Sequence, residues 1–148
     1  MRRGAQLFAL PLAAWERGAL KAALAKSGLP CDDVEAPALL FWRFEQGDIP
    51  VGFGGLEVCG EDGLLRSLVT LPPLRRRGVG SAIVDVIETE ARARNLRSLY
   101  VLTTDNAPFF VRLGYAPCRR DDVPAAVKAT AQFTTLCPSN AAVMRKEF

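Results

Sequence analysis

Apolar residues recur along the chain at two spacings, one helical and one extended. Gln6 to Leu10 predicts a short first strand, and Ala13 to Ser27 a helix. On that helix Trp15, Ala19, Ala22 and Ala23 share a face, and Gly28-Leu29-Pro30 stops it. Cys31 to Pro37 is acidic and loop-like. Leu39–Phe44, Val51–Val58 and Leu64–Leu71 are extended runs divided by turn residues, Gln46-Gly47-Asp48 and Gly60-Glu61-Asp62-Gly63. They predict an antiparallel meander of three strands. Gly54-Gly55 in the middle run marks a bulge or a close approach to the backbone.

Pro72-Pro73 ends the third strand, because proline cannot donate to a ladder. Ser81 to Arg94 then predicts a helix: Ile83, Ile87 and Ala91 repeat every four residues with Val84 beside them, and Glu88, Glu90, Arg92 and Arg94 add polar character. A strand over Ser98–Leu102 follows, then a short helix over Ala107–Leu113 opened by Asp105-Asn106, with Pro108 near its start. Gly114 caps it. Tyr115–Cys118 predicts a strand, Val123–Phe133 a helix and Ala141–Lys146 a last strand. The alternation predicts one α/β domain over residues 1–148, with a mixed sheet covered by helices.

Composition narrows the chemistry. The 148 residues are 49% apolar, enough for a core, and the net charge of +3 is too mild to suggest nucleic acid. There is no histidine, so Ser-His-Asp and Cys-His pairs and His-ligated metals are excluded. Cys31, Cys59, Cys118 and Cys137 form no CxxC pair, and no metal is expected. Three read as buried small hydrophobes and one as a loop thiol. Met1-Arg2-Arg3 before Leu7–Trp15 superficially resembles a leader, but Pro11 interrupts the apolar run and Glu16-Arg17 ends it. Neither a signal peptide nor a membrane span is expected, which makes the cytoplasm the default.

The basic residues are clustered, with three arginines at 75–77 between strand and helix. In Arg75-Arg76-Arg77-Gly78-Val79-Gly80-Ser81 a helix start offers unpaired N–H groups and partial positive charge. Glycines 78 and 80 let a bulky anion approach, and arginine donors suit phosphate oxygens. A pyrophosphate fits this site. The loop is neither a P-loop nor a dinucleotide fingerprint, since both glycine patterns are missing.

Arg75-x-x-Gly78-x-Gly80 in this setting resembles the acetyl-CoA motif of the GNAT family of N-acetyltransferases, and Phe109-Phe110-Val111-Arg112-Leu113-Gly114-Tyr115 is similar to that family's aromatic-x-x-Leu-Gly-aromatic signature. The resemblance covers nearly the whole chain. It implies a mostly antiparallel central sheet with helices on both faces, and acetyl-CoA as co-substrate. Leu64-Leu65-Arg66-Ser67-Leu68, Leu102-Thr103-Thr104 and Ala129–Phe133 with Leu136–Ser139 resemble the arsenic-resistance N-acetyltransferases. The segments around Thr103-Thr104 and Val123-Pro124 resemble the acetyltransferase domain of N-acetylglutamate synthases. Both imply an amino-acid-like small-molecule amine as acceptor, and dimers are common for this fold.

The resemblance also implies roles. Backbone N–H groups of Leu68, Val69 or Thr70 would hold the thioester carbonyl, and residues 76–81 the pyrophosphate. Phe110 would lie against the cofactor. Glu57 is the candidate base; its other reading is an exposed strand glutamate. Arg66 and Arg43 either bind a substrate carboxylate or lie on an outer strand face. Thr103 and Thr104 either hydrogen-bond cofactor or substrate, or form a turn. Many family members carry tyrosine where this chain has Phe110, proposed there to protonate the leaving thiolate. Phenylalanine cannot do so, and Tyr115 and Tyr100 are the substitutes, each with a core-packing alternative. Rival readings are N-acetylglutamate synthesis, protein acetylation, and an acyl-CoA- or metalloid-binding sensor without catalysis.

Overall fold

The computed structural model describes residues 7–29, 39–71, 78–136 and 140–148. Gln6, the Cys31–Pro37 loop, Pro72-Pro73, Arg75, Arg76, Arg77, Cys137, Pro138 and Ser139 lie outside the described residues. The strands are β1 (Leu7–Pro11), β2 (Leu40–Gln46), β3 (Ile49–Cys59), β4 (Asp62–Thr70), β5 (Ser98–Thr103), β6 (Ala116–Pro117) and β7 (Ala142–Glu147). The helices are α1 (Arg17–Lys26), α2 (Val79–Ala93), α3 (Ala107–Arg112) and α4 (Ala125–Lys128). The strands follow the hydrogen-bonded order β1-β2-β3-β4-β5-β7-β6. β4 and β5 are parallel; β1–β2, β5–β7 and β6–β7 are antiparallel. Gly47 and Gly60, with φ of 62° and 65°, turn the chain between β2, β3 and β4 as the meander requires.

The chain divides into two compact units: residues 1–55 with 67–87, and residues 56–66 with 88–148. In the first, alternation along β2 and β3 separates two faces. Phe41, Phe53 and Val69 meet Leu20 and Leu24 of α1 on one. On the other, Ile83 and Ile87 of α2 press so close to Gly54 that a Cβ there would lie 2.5 Å from the Ile87 Cδ1. Of the two adjacent glycines, Gly54 marks a close helix approach. At Gly52 a Cβ would run into the backbone carbonyl of Val69, which cannot turn aside as a side chain can. Gly52→Ala is expected to cost about 1–3 kcal/mol, read from urea unfolding. An unchanged midpoint would show that β3 and β4 part easily there.

The α1 face differs from the sequence reading. Trp15 is 85% exposed in a 3-10 turn (Ala14–Glu16) that precedes α1, and Ala19 and Ala22 are exposed. Leu20 and Leu24, one helical turn apart, carry the burial, because two leucines cover more apolar surface than the alanine stripe. The helix ends as expected: Gly28 is left-handed (φ 69°), and the Leu29 N–H reaches back to the Leu24 carbonyl.

In the second unit Cys59, Leu64, Tyr100, Val123, Val127 and Val143 form one cluster, with Leu102, Cys118 and Phe133 against it. The helix expected over Val123–Phe133 is broken into α4 and a π-helical turn, Gln132–Leu136. The Thr130 hydroxyl donates to the Val127 carbonyl (2.8 Å) and accepts the Phe133 N–H (3.3 Å), local bonds that compete with the helix ladder. β6 keeps only Ala116 and Pro117 of the expected Tyr115–Cys118.

Candidate functional site

α2 begins two residues earlier than its apolar pattern indicated. The Ala82 N–H donates to the Gly78 carbonyl (3.1 Å), which makes Gly78 the cap and Val79, Gly80 and Ser81 the first three helical residues. Their N–H groups have no partner within the helix and carry its positive end. Gly78 is exposed at φ 75°, and among the described residues no atom lies within 4 Å of where a Cβ would stand. No acidic residue lies in the first turn. Backbone donors without an acidic residue in the first turn favour an anionic ligand at this helix start. Residues 75–77, which would add side-chain donors, lie outside the described residues.

The strand before this loop has a break that no residue pattern announced. Ser67 sits at φ 56° within β4, a left-handed conformation rare for a residue with a Cβ. The β4–β5 ladder runs over Gly63–Leu65 and ends at Leu65↔Val101. Farther along, the Leu71 N–H donates to the Val51 carbonyl (3.0 Å). Because N–H groups alternate along an extended chain, that of Val69 points the same way and those of Leu68 and Thr70 point to the other edge of β4. Val69 spends its side chain in the α1 core.

Glu57 and Arg66 come together. Arg66 Nη1 lies 3.4 Å from Glu57 Oε1; the Arg66 side chain is fully buried and that of Glu57 is 22% exposed. Alternation puts both on the face that carries Cys59 and Leu64. Arg66 is thus not an outer-face residue, and Glu57 is not an exposed strand glutamate. Arg43, in the other unit, is held by Glu16 (2.6 Å) and Glu45 (2.9 Å). The Glu16 carboxyl is held below its usual range by the Ala13 N–H and then by Arg43. Thr103 is buried, and its hydroxyl accepts the Asn106 N–H (3.0 Å), fixing the turn from β5 into α3; Thr104 is exposed beside it.

Phe110 is buried, edge-on to both Phe109 (5.0 Å) and Tyr115 (5.5 Å). The Tyr115 hydroxyl donates to Glu88 Oε2 (2.9 Å), and burial, then the Glu88 charge, push its pKa well up. Lys146 Nζ reaches both Glu88 oxygens (3.0 and 3.2 Å) and the Leu113 carbonyl (2.9 Å). This buried Glu88–Tyr115–Lys146 network commits the Tyr115 proton to a structural bond. Sequence reasoning missed it, since its members lie up to 58 residues apart.

Burial, with the charges of Glu57 and Asp62, pushes the Cys59 thiol from its ordinary 9.0 to about 12. A thiol that resists ionising when folded binds its proton above pH 9 while the unfolded chain releases it. The linked stability is therefore present below about pH 9 and lost as pH rises toward 12. A Cys59→Ala variant is expected to lose less thermal stability over this range than the parent; parallel decline in the two would contradict it. Cys118 is also raised, chiefly by burial.

Comparison with known proteins points one way. Residues 6–115 match the family model described as Acetyltransferase (GNAT) family. A stretch of 64 residues, 43% of this chain, is 41% identical to an amino-acid acetyltransferase of Pseudomonas fluorescens (strain Pf0-1), but spans only 15% of that relative's length. Among solved structures, N-acetylglutamate synthase from Neisseria gonorrhoeae, complexed with coenzyme A and N-acetyl-glutamate, superposes with a TM-score of 0.79 at 15% identity, over 98% of this chain and 36% of that one. Rv2747 from Mycobacterium tuberculosis, in complex with CoA and NLQ, gives 0.72 at 23% identity, over 93% and 96%. At these identities the structural likeness speaks for the fold, a seven-strand, mostly antiparallel open sheet with helices.

Proposed function

We propose, from the premise that this chain belongs to the acetyltransferase (GNAT) family and that its chemistry class is acyl transfer, that it moves the acetyl group of acetyl-CoA onto the amine of an amino acid. The observation that carries the donor half is the donor cradle at Val79–Ser81. The acceptor half rests on the kinship with amino-acid acetyltransferases and on a carboxylate, Glu57, half-buried beside Arg66. A single domain of residues 1–148 in the cytoplasm would carry the reaction; no described helix is long and apolar enough to cross a membrane. The finer acceptor class is a glutamate-like amino acid or an arsenical analogue of one, as the segments around Arg66, Thr103 and Ala129–Phe133 suggest.

In this reading α2 and Arg75–Arg77 hold the pyrophosphate, and the N–H groups of Leu68 and Thr70 are the donors for the thioester oxygen. Glu57 accepts a proton from the acceptor ammonium, directly or through a water. The freed nitrogen attacks the thioester carbon; the C–N bond forms, the C–S bond breaks, the coenzyme leaves as thiolate, and the proton left on the new amide nitrogen passes to water. Phe110 donates no proton, and a thiolate with pKa near ~8.5 leaves acceptably without an acid.

The test is release of free thiol from acetyl-CoA with glutamate, its phosphinate and arsinate analogues, other amino acids and polyamines in turn. Release dependent on one amino acid and lost in Gly80→Asp is the expected result. Tight cofactor binding with no release for any amine would favour the sensor reading, which the Phe110 substitution supports.

A further inference from the structure

The role of Arg66 follows from its surroundings. A guanidinium with no exposed side-chain surface has given up its water, and such a charge persists only against an anion. Arg66 meets one in Glu57, across the β3–β4 hairpin. Arg66 also lies in β4 between the left-handed Ser67 and Leu65, the last residue paired with β5. Its backbone is therefore fixed by the ladder on one side and by the break on the other. Glu57, by contrast, keeps part of its side chain in solvent, as a group that must exchange protons requires.

We infer that Arg66 is a positioning residue for Glu57: it fixes one carboxylate oxygen and keeps the group ionised, ready to take the acceptor's proton. This gives Arg66 a different task from anchoring a substrate carboxylate. It rests on the proposal that Glu57 is the base. Arg66 from β4 and the Cys59 thiol two residues along β3 are among the groups beside this carboxylate; Asp62, at the head of β4, acts on the same thiol. Partial burial on its own disfavours a charged carboxylate, and the Arg66 guanidinium acts against that.

Two measurements on the full chain decide the question. Carboxyl-carbon NMR titration of Glu57 needs no turnover. Arg66→Met is expected to raise the titration of Glu57 by about one unit or more over the parent. Arg66→Lys, which keeps the charge, should stay close to the parent, and Arg66→Gln serves if Arg66→Met does not fold. The pH profile of kcat/KM should show its acidic limb move upward by the same amount, with KM for the amino acid little changed. A Glu57 that titrates alike in the parent and in Arg66→Met overturns the inference. So does a raised KM confined to carboxylate-bearing acceptors with no limb shift, the mark of a substrate anchor. If the NMR shift appears and the limb stays fixed, Glu57 is not the base and the positioning role falls with it. If instead no amine is acetylated at any pH while Glu57 titrates as expected, the acyl-transfer reading has failed and the ion-pair electrostatics have not.

Discussion

Glu57→Gln is expected to lower kcat/KM about 100- to 10,000-fold, the range general-base removal produces. Gln keeps the length of the side chain and an oxygen that can accept from Arg66, but it cannot take a proton. The loss should fall on kcat, because the acceptor still binds while its ammonium loses the nearby base. The KM for acetyl-CoA should stay close to the parent value, since the cradle at Val79–Ser81 lies on another element. Raising the pH should recover part of the rate, as more of the amine arrives already deprotonated. Undiminished turnover at neutral pH would show that solvent alone deprotonates the acceptor. Thermal unfolding of the same variant separates a chemical loss from a folding loss, because Arg66 would then face a neutral partner.

The second large effect concerns stability. Lys146→Met is expected to cost about 3–5 kcal/mol, because it strands a buried carboxylate. Glu88 has only 5% of its side-chain surface exposed and would keep the Tyr115 hydroxyl, with Arg92 at 3.9 Å. The Leu113 carbonyl would lose its Nζ donor as well. For a chain of this size such a loss lowers the melting temperature by roughly 6–20 °C. Tyr115→Phe removes one neutral donor and should cost about 1 kcal/mol, so the two variants calibrate each other in urea unfolding. Equal, small losses would mean that water reaches Glu88 and satisfies it.

The fold was legible where local chemistry and packing agree. Gly47 and Gly60 needed left-handed turns and marked the meander, and Ile83 and Ile87 at one-turn spacing declared the buried face of α2. It was less legible where partners are distant. The alanine stripe of the first helix shares its periodicity with Leu20 and Leu24, and only the packing of Phe41 and Phe53 selects the leucines. Arg66 lies in a run buried on both faces, where alternation gives parity but not side. Ser67 gives no residue-level signal, because a strained serine looks like any other. The cofactor loop was the most legible part of the site, since phosphate recognition by a helix start and nearby glycines is written in adjacent residues.

The central claim is that an acetyl group moves from coenzyme A to the nitrogen of an amino acid. It is tested most directly by incubating the protein with acetyl-CoA and each candidate amino acid and identifying the product by mass spectrometry. The account predicts an N-acetylated amino acid formed in step with free coenzyme A, and its loss in Glu57→Gln. Acetyl-CoA recovered intact with every acceptor, or hydrolysed to acetate with no acetylated amine, would contradict it.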